Sequence, residues 1–188
     1  MKNLLILTAA AAVVLPAAAQ AAPANIVVVD RERVYGECTA CRAAQTQLQT
    51  QATALQSRQA ALAAPLKTEG QSLQTAVDAL KGAQPGPALQ ARITAFQTRQ
   101  QTGAQELQRM QQSLQSSQAN VVRQIDAKLD PIYSQVMAQK GANLALDVNA
   151  TLAHGTALDV TNDVLAALNA ALPSVSVTPA PAAATQGR

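Results

Sequence analysis

Apolar residues in this chain recur every seventh position from Val34: Val34, Cys41, Leu48, Leu55 and Leu62, then, after a slip of four, Leu66, Leu73 and Leu80. Beyond a break the spacing alternates between four and three. It runs through Leu89, Ile93, Phe96, Gln100, Gly103, Leu107, Met110, Leu114, Ser117 and Val121 to Ile125, Leu129, Ile132 and Val136. A repeat of this kind keeps one seam of a helix facing a partner helix, so the pattern predicts a coiled coil. The break, Gly-Ala-Gln-Pro-Gly-Pro at 82–87, is a helix stop and turn. Two helices of similar length joined by so short a turn pack antiparallel. The expectation is a hairpin over residues 36–140, with helices of roughly 70 Å each at 1.5 Å per residue.

The seam is thin in places. Gln100, Gly103 and Ser117 occupy positions where a fully buried Leu would contribute ~1.5–3 kcal/mol. Pro65 stands at the phase slip, where it costs a helix interior about 3 kcal/mol, and Gly70 follows it. Folding the hairpin about residue 85 places Gly103 opposite residues 67–68. Pro65, Gly70 and Gly103 are therefore predicted to share one level and to form a hinge midway along the hairpin. A loop at 64–70 that splits the first helix in two is the alternative.

The pattern changes outside the hairpin. Asn-Ile-Val-Val-Val-Asp at 25–30 is β-branched and reads as a buried strand. Leu144, Leu146 and Val148 alternate with polar partners as a second strand, and 151–155 allow a return strand after a turn at Asn149-Ala150. Thr161 is predicted to cap a short helix with Val164, Leu165, Leu168 and Leu172 on its inner face. These pieces define a head made of residues 22–35 and 141–172, with Ile26, Val28, Leu144, Leu146 and Val148 as its candidate core. Two or three strands with one short helix are marginal alone, so the head is expected to oligomerise. The fold class is thus mainly α, a long antiparallel coiled-coil hairpin with a small oligomerising β/α head. Residues 173–188, dominated by Pro, Ala, Ser and Thr, are expected to be a disordered tail.

Composition agrees with thin, long helices. From Gln45 to Gln124, 20 of 80 residues are Gln, and the chain has no Trp and one Phe, too little for a thick core. Residues 1–21 have the parts of a cleaved secretory signal: Lys2, an apolar stretch from Leu4 to Leu15, and Ala19-Gln20-Ala21. That stretch is shorter than the ~20 residues a membrane span needs. An exported chain follows, free to form disulfides. Charge is segregated: residues 42–128 carry nine basic and four acidic residues, while the flanking parts of the mature chain are net acidic. Lys67, Lys81, Arg92, Arg99 and Arg109 are the candidate field-bearing residues of the outer hairpin.

Cys38 and Cys41 form a Cys-x-x-Cys pair between a strand-like run and a helix, a spacing found in thiol–disulfide catalysts. The repeated strand–helix units of a thioredoxin-type domain have no counterpart here, so a local disulfide at the junction of head and hairpin is expected instead. With His154 as the one His, three soft ligands fall short of a zinc site, and His154 reads as a strand-edge residue. Asp147 and Asp159 read as turn and capping residues. No acid–base pair, nucleophile constellation or phosphate loop stands out, so no enzyme, cofactor, metal or nucleic-acid partner is predicted.

Asn-Ile-Val-Val-Val-Asp-Arg-Glu-Arg-Val-Tyr at 25–35, the Gln/Ala-rich hairpin, and the closing block at 144–168 with Leu-Asp-Val-Thr-Asn-Asp-Val-Leu at 158–165 resemble the Skp/OmpH family of periplasmic chaperones. The C-terminal block carries the most specific part of the likeness; the hairpin is generic. The resemblance implies a homotrimer with a β body built from all three chains. Helical tentacles would surround a cavity that holds unfolded outer-membrane proteins. Some members of the family bind lipopolysaccharide, which implies at most a weak association here, since no clustered basic site maps onto this chain. The Cys38/Cys41 pair is not part of the family pattern. A structural coiled-coil scaffold without client binding is the competing reading.

Overall fold

The computed structural model describes residues 24–179. The signal sequence expected at 1–21 and the last residues of the expected tail, 180–188, lie outside the described residues. Element order is β1 (Ile26–Val29), α1 (Arg31–Glu37), α2 (Thr39–Asp78), α3 (Pro87–Lys140), β2 (Leu144–Asp147) and α4 (Thr161–Ala171), with short 3₁₀ turns at Val148–Ala150 and Thr156–Leu158. The protein is mainly α, with a two-stranded β body at the base of a long helical hairpin.

The hairpin follows from the repeat. α2 and α3 have 40 and 54 residues, roughly 60 and 80 Å at 1.5 Å per residue. α2 ends at Asp78, and the chain turns through Lys81 and Gly82 at φ 47° and 92°. The second suits glycine, which has no Cβ to clash. Pro87 starts α3 at its first turn, where its missing N–H costs nothing. Gly141 ends it with a left-handed φ of 64°.

Three expectations about the hairpin need correction. First, α2 runs unbroken through Pro65, so no loop splits it at 64–70. Pro65 is exposed, and the side chains around it continue the seam, which holds the helix despite the lost N–H; Pro131 sits inside α3 in the same way. Second, the register is centred nearer the middle of the turn than residue 85. Gly103 faces Leu62 and Gly70 faces Phe96, because α2 stops at Asp78 and the turn begins earlier than the Pro-Gly-Pro stretch. Third, the helical run is interrupted at Cys38, whose ψ of 127° separates α1 from α2. The seam read from Val34 therefore starts in the head, where residues 22–35 are expected, and the hairpin helix begins at Thr39 and not at residue 36. The remaining seam positions are buried or half-buried, apart from Gln100, which is exposed.

The head packs around the base of α3. Val121, Ile125, Leu129, Ile132 and Val136 form one buried stripe that meets Val27 and Val29 of β1, Val34 of α1, and Val160, Val164 and Leu168 around α4. β1 and β2 pair in parallel, Ile26 with Leu144 through Val29 with Asp147. Asn25 fixes this start by donating through Nδ2 to the carbonyls of Gly141 (2.9 Å) and Lys140 (3.3 Å) at the end of α3.

The return strand expected at 151–155 is absent. Val28 instead forms a parallel bridge with Asp159, and the Val160 N–H donates to the Val28 carbonyl at 2.9 Å. A parallel neighbour requires the chain to travel back along the sheet first, and residues 148–158 are used for that crossing. His154 is therefore a half-buried loop residue and no strand edge. The cap of α4 also differs. Val160 is the N-cap residue and Thr161 the buried first residue of the helix. The helix start is held from one residue further back, where Asp159 Oδ1 accepts the Thr161 N–H at 2.8 Å.

The tail differs most. Residues 173–179 form neither helix nor strand; they lie against α3 with bends at Pro173 and at Val177–Thr178, and Val175 and Val177 are only 8% and 9% exposed. Composition alone made this stretch look unstructured. Two valines at alternate positions, each with an apolar hole to fill, are enough to seat it.

Candidate functional site

Beyond its base, the hairpin cannot bury its own seam. Between residues 45 and 116 only Leu73 and Gly103 are buried, while Leu55, Leu62, Leu66, Phe96, Leu107 and Met110 remain half-exposed along one line. Two helices present one contact face to each other, and each seam residue keeps an edge in water unless a third surface covers it.

This edge widens into a groove of about 320 Å³ midway along the hairpin. Ala61, Leu62, Pro65 and Leu66 of α2 and Gly103 of α3 line it. It exists because Gly103 has no side chain: a Cβ there would lie 3.3 Å from Leu62 Cδ1. About two turns away, Gly70 makes room for the Phe96 ring in the same manner, 3.3 Å from its Cζ. Pro65 and Gly103 thus meet at the groove, whereas Gly70 lies a level nearer the turn.

Ion pairs flank the groove. Arg58 grips Glu106 with two hydrogen bonds of 2.8 Å, from Nε to Oε1 and from an Nη to Oε2. Arg99 pairs with Glu69. The hydrogen bonds from Arg58 hold the Glu106 carboxyl below the usual carboxylate range. Both pairs are substantially exposed, so they fix helix register more than they stabilise.

Among the basic residues singled out from sequence, all five are exposed. Arg99 is neutralised by Glu69, and Arg92 donates to Ser72 Oγ at 3.2 Å. Lys67 lies on α2 beside the groove level, Lys81 in the turn with its positive φ, and Arg109 on α3. No ion pair holds Lys67, Lys81 or Arg109 among the described residues. Arg58 escaped the sequence reading. Its pairing with Glu106 becomes visible only once the hairpin register is set about its true centre.

In the head, Val28 is buried, Ile26, Leu146 and Val148 are half-buried, and Leu144 is exposed within one chain. Leu152 and Leu158 are exposed beside them. β1 lies between β2 and the bridge at Asp159, and the outer edge of β2 has no strand partner among the described residues. Tyr35 OH bonds to Asp126, and Arg31 stands 3.8 Å from the same carboxylate. Burial, then the bond to Asp126, pushes the Tyr35 hydroxyl up to about 12. Tyr133 OH is buried without a partner in a small cleft with Val29, Arg31, Ala145, Leu146 and Asp147.

Cys38 and Cys41 are joined in a disulfide, and both are buried. Cys38 Sγ also accepts the Cys41 N–H at 3.3 Å, which makes it the cap of α2. Asn169 of α4 covers the same helix start by accepting the Thr39 N–H at 2.9 Å. A disulfide this buried is shaped for holding a junction rather than for exchange with outside thiols. No group of three or more His, Cys, Asp or Glu able to hold a metal occurs among the described residues, and no helix among them is long and apolar enough to cross a membrane.

Comparison with known proteins agrees with this architecture. No curated protein matches the chain. Among solved structures, a candidate outer membrane chaperone (OmpH-like) from Caulobacter crescentus CB15 superposes with a TM-score of 0.66 over 87% of this chain and 95% of that one, at 19% identity. At that identity the likeness concerns the fold. The model of the family described as outer membrane protein (OmpH-like) matches residues 25–168, from the start of β1 to within α4. A hairpin on a small parallel β body, matched over this length, makes the chain a member of the OmpH-like outer membrane protein family.

Proposed function

We propose that the protein is an ATP-independent periplasmic holdase that sequesters unfolded outer-membrane β-barrel proteins in a cavity between the hairpins of a homo-oligomer, a trimer by the family resemblance. The observation that carries this reading is the half-exposed apolar edge from Leu55 to Met110, interrupted by polar residues and bordered by charge. Such an edge grips weakly at each point and gains strength from many points together. An excess of five positive charges over residues 42–128 would attract a net acidic client over distance. Lys67, Lys81, Arg92, Arg99 and Arg109 are its proposed bearers in the outer hairpin, with Lys67, Lys81 and Arg109 the least compensated. The same cations are what a weak association with lipopolysaccharide or a membrane surface would use.

Oligomerisation through the head is supported by the open β2 edge and by exposed Leu144, Leu152 and Leu158. An unpaired strand edge with apolar neighbours is a template for another chain. Pro65 and Gly103, meeting at the groove, with Gly70 one level away, are the proposed soft joint that lets the hairpin adapt to clients of different size. The chain carries no phosphate-loop motif, so release is assigned to a better competitor for the client. The test is light scattering from a barrel protein diluted out of denaturant, with solution mass measured before and after mixing. Protection that weakens with salt, together with a complex of defined mass, is expected. Unaltered aggregation would leave a spacer or scaffold as the better reading, and a lone protomer at micromolar concentration would remove the cavity.

A further inference from the structure

The docked tail exposes a binding site that the chaperone reading does not include. Gln124 pairs with the backbone of Ser176 twice: its Nε2 donates to the Ser176 carbonyl at 2.8 Å, and its Oε1 accepts the Ser176 N–H at 3.2 Å. One side-chain amide thus serves both backbone groups of a residue, as a neighbouring strand would. Asn120 extends the contact by donating through Nδ2 to the carbonyls of Ser176 (2.9 Å) and Thr178 (3.3 Å). Arg123 orients it by donating to Asn120 Oδ1 at 3.0 Å. Asn120 is a buried polar residue. Val175 and Val177 are buried in the same core as Val121, while Ser176 and Thr178 are exposed.

The site therefore reads the backbone of one residue, Ser176, with the Thr178 carbonyl beyond it, and two apolar side chains two residues apart. We infer that this groove at the base of α3 is a binding site for short, alternately apolar segments of an unfolded client. The chain's own residues 173–179 occupy it as a competing strap. The inference rests on the proposed holdase function for the identity of the client: strands of a membrane β-barrel alternate apolar and polar residues at this period of two. The peptide site itself rests on the hydrogen bonds and burial alone. A strap covalently attached to its site competes at high effective concentration, so only a client presenting many such segments displaces it. A strap seated about 90% of the time lowers the apparent affinity for a competitor roughly tenfold.

The experiment uses the full chain and a fluorescent peptide of residues 173–179. Val175→Asp with Val177→Asp releases the strap and leaves the groove intact. Ser176→Pro is a second release variant that removes the N–H taken by Gln124. Circular dichroism melting checks that each stays folded. Either folded release variant is expected to bind the peptide roughly tenfold more tightly than the unmodified chain. Adding Gln124→Ala should abolish that gain, and a peptide with its two valines adjacent should not bind. A denatured barrel protein should displace the peptide. No tighter binding by either folded release variant, or equal binding of the adjacent-valine peptide, overturns the site. Peptide binding that denatured barrel protein cannot reverse overturns the assignment to clients. Failure of all variants to suppress aggregation would instead count against the holdase function, and the peptide measurement keeps the two failures apart.

Discussion

The Asp30 N–H donates to Thr161 Oγ1 at 2.9 Å, joining the end of the first strand to the start of the last helix across 131 residues. Thr161 is fully buried there, so the bond has no water to replace it. Asp30 also caps α1, its Oδ1 accepting the Arg33 N–H at 2.8 Å. Two helices at opposite ends of the chain are thus started from one point in the head. Thr161→Val keeps the shape and leaves the Asp30 N–H unpaired, a loss of about 1–3 kcal/mol. Thr161→Ser, which retains the oxygen, should cost much less. Urea unfolding of the two variants separates the hydrogen bond from the packing.

Gly103 and Gly70 make opposed cases of one substitution. Helix propensity favours Ala over Gly by about 1 kcal/mol at either position. At Gly103 the new methyl meets the end of Leu62, 3.3 Å away, and a half-exposed leucine can rotate. At Gly70 it meets the edge of the Phe96 ring at the same distance, a rigid body that moves as a whole. Gly103→Ala is expected to raise the thermal midpoint, whereas Gly70→Ala should leave it unchanged or lower it. Were both to stabilise equally, the ring would be free to tilt and the close packing at Gly70 would be of no consequence.

The Cys38–Cys41 disulfide closes a very short loop, for which chain entropy gives only about 2 kcal/mol. Replacing both cysteines with Ala should cost about that amount in urea unfolding. Because both cysteines are buried, reductant should open the bond slowly in the native state and quickly above the unfolding midpoint. Thiol-oxidation activity toward an added dithiol is expected to be absent from the native chain. Measurable turnover lost on Cys38→Ser would reassign the pair to redox chemistry.

Tyr35 predicts how the head responds to alkali. Its hydroxyl ionises near 10 in the unfolded chain and at about 12 in the fold. A raised value means the native state holds the proton more tightly. Its contribution to stability is therefore complete below pH 10 and is lost as the pH rises from there to about 12. Tyr35→Phe should flatten this decline without removing it, since burial also raises Tyr133. Urea midpoints for both chains across that range measure the difference.

Asp159 sets the acid side. Hydrogen bonds from Thr161 lower its carboxyl, so its contribution is complete above the ordinary carboxylate value and fades as the pH falls through the lowered one. Asp159→Ala should cost roughly 0.5–2 kcal/mol at neutral pH, the range for losing a side-chain acceptor at a helix start. The gap between the two chains should narrow below about pH 4. A gap that is constant with pH would show that the carboxylate charge plays no part in holding the helix start.

Most of the hairpin was legible from the sequence because a helical seam is a local, repeated pattern. Leu48 to Leu73 and Leu89 to Val136 had to lie on one side of their helices wherever the chain went, and a turn had to fall between the two runs. The strand at Ile26–Val29 and the inner face of α4 were readable for the same reason. What the tertiary structure decided was every choice between local options. Pro65 stayed helical because packing on either side outweighed one lost hydrogen bond. Thr161 gave up its capping role because Asp159 could hold the helix start while Asp30 needed an acceptor. Residues 151–155 were denied a strand because Asp159 already occupied the place beside Val28. Val175 and Val177 had too little apolar surface to order a tail by themselves, and only the holes beside Val121, with the Asn120 and Gln124 amides alongside, gave them somewhere to go. Periodicity fixes which face of a helix is apolar, since side-chain direction follows from backbone geometry alone; which groups meet across more than a hundred residues depends on a competition that no local window contains.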